Sequence, residues 1–127
     1  MKNIISALLI MLACDAVHAE WITYHRSPEA EEFFDPVFVS NEQGKIKFWA
    51  LSNYTTAITS LEGKELLSEK ALTTIDCVAR KTGTEKVLKY SDKNAQGEVV
   101  GSMETALRMT RVRAGSADQI LMESLCR

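Results

Sequence analysis

Residues 45–53 read Lys-Ile-Lys-Phe-Trp-Ala-Leu-Ser-Asn. Ile46, Phe48 and Ala50 fall on one side of an extended chain, and Lys45 and Lys47 on the other. That period of two predicts a half-buried β-strand. Phe48 and Trp49 are neighbours, so alternation sends these two large aromatic residues to opposite faces. One of them must therefore point away from whatever covers the sheet.

Working outward, Asn41-Glu42-Gln43-Gly44 is a tight connection to a preceding apolar stretch, Phe33 to Ser40. The two stretches are expected to pair as a hairpin, with Pro36 marking an edge or a bulge. Trp21 to Arg26 is aromatic and β-branched and predicts a first strand, with a turn at Ser27-Pro28-Glu29-Ala30. Downstream, 54–71 reads as a loop, with a helical turn suggested by Glu65 to Leu72. Thr73 to Ala79 alternates as a strand that places Cys77 on its less polar face. Glu85 to Ser91 and Glu98 to Met103 form a second hairpin around the polar turn Asp92 to Gly97. Ala106 to Arg113 is expected as the last strand.

The end of the chain differs. Ser116 with Gln119 three residues later has the spacing of a capping box. Ala117, Ile120, Leu121, Ser124 and Leu125 then share a helical stripe. A helix of about ten residues is marginal alone, so it must dock on the sheet. The predicted fold is α+β: a single antiparallel sheet of about six strands, packed against a short C-terminal helix and tied by one disulfide.

The chain has 127 residues, a net charge of −2 and three cysteines. The length suits one domain, and the charge argues against a general nucleic-acid surface. The odd cysteine is explained by the N-terminus. Lys2 precedes an apolar run from Ile4 to Ala13, too short to span a bilayer, and Val17-His18-Ala19 offers a cleavage point between Ala19 and Glu20. Residues 1–19 are thus expected to be a signal peptide and 20–127 the domain. Met11-Leu12-Ala13-Cys14 offers a competing reading as a lipid-anchoring motif at Cys14, and an uncleaved helix is the third. Export leaves Cys77 and Cys126, which in an oxidising compartment are most simply one disulfide. A redox role would call for closer spacing or an activated thiolate.

The ordered set Trp21, Phe34-Asp35-Pro36, Lys47-Phe48-Trp49-Ala50-Leu51, Ser68-Glu69-Lys70, Ile75-Asp76-Cys77, Tyr90-Ser91, Gly97-Glu98-Val99-Val100 and Leu125-Cys126 resembles the surface-adhesin protein E-like family of Gram-negative bacteria. The resemblance covers nearly all of 20–127. It departs at Leu107 to Ser116, where Ala114-Gly115-Ser116 stands and a family tryptophan is missing. The resemblance implies a sheet tied to a C-terminal helix by Cys77–Cys126, an envelope location, and binding of host matrix or serum proteins. It brings no catalytic residues and no cofactor.

Other residues weigh little toward chemistry. His25 is the single histidine of 20–127, and acid–base work would need a positioned partner. Glu29, Glu31 and Glu32 read as a solvated acidic loop, and no metal-ligand spacing is evident. Asn53-Tyr54-Thr55 matches a glycosylation sequon that carries little meaning in a bacterium. Trp49, Arg108, Arg111 and Arg113 are the candidate binding surface, with Arg111 and Arg113 on one face of the expected last strand and Arg108 on the other.

The sequence thus points to an exported, non-enzymatic adhesin-like protein of the periplasm or cell surface. Its partner would be a host matrix or serum protein or an envelope component, and an exposed strand edge would allow a homodimer. The alternatives are a structural or housekeeping envelope protein, or a small inhibitor, without a host ligand. A hydrolase is the weakest reading.

Overall fold

The computed structural model describes residues 20–127, so the expected signal segment, its last residue Ala19 and Cys14 lie outside the described residues. Eight strands and one helix follow in order: β1 (Ile22–Arg26), β2 (Ala30–Phe34), β3 (Ser40–Glu42), β4 (Lys45–Thr59), β5 (Glu65–Asp76), β6 (Lys81–Tyr90), β7 (Val99–Glu104), β8 (Thr110–Arg111) and α1 (Ala117–Leu125). The strands form one antiparallel sheet in the order β1-β2-β4-β5-β6-β7, with β3 also on β4 and β8 also on β6. β2 and β3 share one flank of β4, at 50–54 and 45–47. β7 and β8 likewise share one flank of β6. Eight strands therefore fill six positions across the sheet, and the expected width holds although the strand count is higher.

The hairpin opening β4 closes at Gln43 and Gly44, with φ of 53° and 76°. Two successive left-handed residues make the turn whose twist matches that of paired strands. Phe33 to Ser40 is not one strand, however. β2 starts earlier, at Ala30, and ends at Phe34, before Pro36, which cannot donate to a ladder. Pairing with β4 lapses after the Asp35 amide donates to the Trp49 carbonyl and resumes where the Val39 amide donates to the Lys47 carbonyl, leading into β3.

The 54–71 stretch is the largest correction. Instead of a loop with a helical turn it holds the end of β4 and the first half of β5. Leu66 and Ser68 are buried on one face of β5, a period of two. β4 pairs with β5 from Glu65 and β6 from Ser68 onward, and that tertiary pairing overrides the helix propensity of Glu65 to Leu72. β5 ends at Asp76, short of the expected Ala79; the Asp76 carboxylate accepts from the Val78 and Ala79 amides and folds the chain into a turn. The expected last strand, 106–113, shrinks to Thr110–Arg111, because after the Thr105 amide bonds to the Glu85 carbonyl the chain leaves the edge of β6 and Leu107–Met109 lie over Gly83.

The core lies between α1 and one sheet face. Phe34, Ile46, Phe48 and Ile75 meet Leu121 and Met122 there, with Tyr24, Phe38, Cys77 and Cys126 packed around them. Phe48 is wholly buried. The docked stripe of α1 is turned from the expected one: Met122 is 1% exposed and Ile120 45%. Ser116 caps the helix, its hydroxyl accepting from the Gln119 amide at 3.2 Å. Gln119 returns its side-chain oxygen to the Gly115 amide at 2.6 Å, one residue earlier than a standard capping box. The helix ends at Cys126, which is bonded to Cys77 across 5.6 Å between Cα atoms.

Candidate functional site

The register decides which side chains share each face. Ile46, Phe48 and Ala50 stand in line with Ile75, Thr73 and Ala71 of β5, and this is the face under α1. The opposite face carries Lys47, Trp49 and Leu51 beside Thr74, Leu72 and Lys70. Leu72 and Lys70 continue to Lys86 and Leu88 of β6. Trp49 thus points away from the helix, as alternation predicts for one of the two aromatic neighbours.

Two segments cross this second face. At one end the β6–β7 connection lies over Asn53 and Ser68. Asn53 donates to the Asn94 side chain at 2.7 Å and accepts from the Asn94 amide at 2.8 Å. The buried Ser68 hydroxyl donates to the Asp92 carbonyl and accepts from the Ala95 amide at 3.0 Å. At the other end, 105–109 lies over Gly83, where a Cβ would come within 2.6 Å of the Arg108 carbonyl oxygen. Glycine is required there because the two backbones approach so closely.

Between the crossings Trp49, Lys70, Leu72, Lys86 and Leu88 are half-buried. The Lys70 ammonium sits 4.7 Å from the Trp49 ring centroid and 6.0 Å from that of Tyr90. Both are within cation–π range. A bulge in β6 lets Glu85 and Lys86 both face this side. Lys47 pairs with Glu85 at 2.6 Å and Lys86 with Glu104 at 3.3 Å. Lys70 makes no salt bridge among the described residues.

The arginines are exposed, Arg108 on the 105–109 crossing over Gly83 and Arg111 apart from Trp49. Arg111 is in register with Lys81, at the disulfide end, whereas Trp49 is in register with Leu72 and, through it, Lys86. Arg113 lies beyond β8, so the shared strand face expected for Arg111 and Arg113 is not formed.

On the helix side, beyond the reach of α1, His25 Nδ1 lies 3.0 Å from Glu32 Oε2. Glu31 faces the opposite side, where it accepts from Thr23 at 3.1 Å and Arg26 at 2.9 Å. Glu31 and Glu32 are thus paired strand residues and not part of a solvated loop. Burial raises the Tyr24 phenol above its ordinary range, with smaller contributions from Glu32 and Asp118. Burial likewise raises Tyr54, followed by the nearby carboxylates of Glu69 and Glu32. Both phenols stay neutral well into alkali.

Sequence reading did not single out Lys70, Ser68, Tyr90 or Thr74 for this face. Lys70 and Ser68 lie in the stretch that local propensity assigns to a loop, and the alternation of Leu66, Ser68, Lys70 and Leu72 is the signal that points to a strand.

A family model of surface-adhesin protein E matches residues 21–127. The chain belongs to the surface-adhesin protein E family. The solved structure of Haemophilus influenzae protein E has the same fold, with a TM-score of 0.68 at 12% sequence identity, over 87% of this chain and 86% of that one. No curated protein gives a significant sequence match. The matched region takes in the whole sheet, α1 and both disulfide cysteines. Among the described residues no helix of this adhesin-family chain is long and apolar enough to cross a membrane.

Proposed function

We propose that this family member is an exported, non-enzymatic adhesin-type module of the periplasm or cell surface. The domain would be residues 20–127, released by cleavage between Ala19 and Glu20. It would engage a host matrix or serum protein, or a glycan or protein of the envelope, through the sheet face opposite α1. The single observation that carries this reading is the placement of Trp49. A large aromatic residue stands half-exposed in the middle of the sheet, on the face that α1 leaves uncovered, with an ammonium group on its ring. Aromatic residues flanked by charge are the usual anchors of a binding surface.

Family membership supports the surface role and the absence of catalysis. Arg108, Arg111 and Arg113 would serve as a charged rim that steers a partner, since exposed charges act more on encounter than on affinity.

The test is a pull-down from serum and matrix preparations, run beside an envelope extract. It compares the wild type with Trp49→Ala and with Arg108→Glu/Arg111→Glu. Retention of a partner by the wild type and its loss with Trp49→Ala is expected; equal retention by a correctly folded Trp49→Ala protein would remove the face from the account. Mass spectrometry of the exported protein tests processing separately. A chain beginning at Glu20 is expected, and an acylated Cys14 would replace cleavage with a lipid anchor.

A further inference from the structure

Thr74 lies mid-sheet on β5 with 5% of its surface exposed, and its hydroxyl, fully shielded, meets no hydrogen-bond partner among the described residues. A buried hydroxyl left unpaired is costly, so the exception calls for an explanation. Its neighbours Thr73 and Ile75 point to the helix side, so Thr74 points to the open face. It lines a cleft of about 260 Å³ there with Ser40, Gln43, Lys45 and Lys47, and Leu107 from the 105–109 crossing completes the lining. Gly83, by lacking a Cβ, is what lets that crossing lie so close to the sheet.

The groups offered to the cleft are mostly donors. Lys45 makes no salt bridge among the described residues. Lys47 shares its ammonium with Glu85 but keeps further N–H groups. Ser40 and Thr74 add hydroxyls and Gln43 an amide. Glu42, in register with Lys45, is the one acid of the lining. Beyond it the row continues as Lys45, Asp76, Lys81 and Arg111. Asp76 in that row is already accepting from two backbone amides. Two lysines and one acid, Glu42, thus line a cleft whose most buried polar group is unpaired, and Lys45 is the lysine without an ion-pair partner among the described residues.

We propose that this cleft binds an oxyanion, a sulfate or phosphate group held by Lys45, Lys47 and the hydroxyls of Ser40 and Thr74. Once the Thr74 hydroxyl turns from its shielded position into the cleft, such a group accepts from it and places its charge between the two lysines. The site is separate from Trp49 and does not depend on the wider face docking a partner.

The experiment follows backbone amide shifts of the protein expressed from the full chain. Sodium sulfate, sodium phosphate and a sulfated oligosaccharide are titrated at constant ionic strength. Saturable shifts at Gln43, Lys45, Thr74 and Leu107 are expected. Thr74→Val, which keeps the shape and removes the hydroxyl, and Lys45→Gln should each weaken binding about fivefold or more. Lys93→Gln, on the β6–β7 connection, should leave it unchanged. Tighter binding of the oligosaccharide than of the free anions supports the site and assigns it to a glycan; equal binding supports it and assigns it to the free anion. Shifts that do not saturate, that spread over all lysines, or that survive undiminished in both Thr74→Val and Lys45→Gln would overturn the proposal. Failure of the Trp49 pull-down leaves this result untouched, so the two readings fail separately.

Discussion

Phe48 and Trp49 are one peptide bond apart and do different work. Phe48 is wholly buried under α1, so Phe48→Ala should cost about 3–5 kcal/mol, read as a lower denaturant midpoint. Trp49 is half-buried on the other face. Trp49→Ala should cost about 1–2 kcal/mol, small enough to leave a folded protein for binding measurements. Ser68 is buried and serves two backbone groups of the β6–β7 connection. Ser68→Ala should cost about 1–3 kcal/mol through the carbonyl and amide it leaves unpaired. Tyr24 and Tyr54 set the alkaline limit. Their folded pKa values lie above the unfolded value near 10, so the folded state holds its protons more tightly. The stability they contribute is complete below about pH 10 and is lost as pH rises above it. Thermal unfolding should fall steeply above about pH 10 in the wild type and less steeply in Tyr24→Phe/Tyr54→Phe.

At the scale of elements, α1 is nine residues long and is held by a cap, a buried Leu121–Met122 contact and a disulfide. The bond closes a separation of 49 residues, a loop whose cross-linking is worth about 4 kcal/mol in the chain-entropy picture. Against a typical total of about 5–15 kcal/mol, Cys77→Ala/Cys126→Ala should lower the denaturant midpoint severely. Amide exchange should rise first in Ala117–Leu125. The hairpin into β4 and the cap were legible because each has a short-range signature, Gln43-Gly44 and Ser116 with Gln119; the disulfide was legible because residues 20–127 hold just two cysteines. β5 was not, because Glu65 to Leu72 prefers a helix locally and becomes a strand only through β4 and β6 on either side. The stripe of α1 was misplaced by one residue position for a related reason. The phase of so short a helix is set by what it docks on, and Met122 fits the core where Ile120 does not.

At the scale of the molecule, one face is covered in part by α1, pinned by the disulfide, and the other is crossed at its two ends. Alternation at Phe48-Trp49 made the existence of the second face legible. The ring of Trp49 under Lys70 and the cleft at Thr74 were not, since both depend on register across three strands and on where two connections cross. Of the arginines conspicuous in sequence, Arg111 lies at the disulfide end and Arg108 on the 105–109 crossing. The central claim is that the face opposite α1 makes the contact. The most direct test is the pull-down from serum, matrix and envelope preparations with wild type and Trp49→Ala, each verified as folded and disulfide-bonded. The account predicts a partner retained by the wild type and lost by Trp49→Ala. A partner retained equally by both proteins would contradict it.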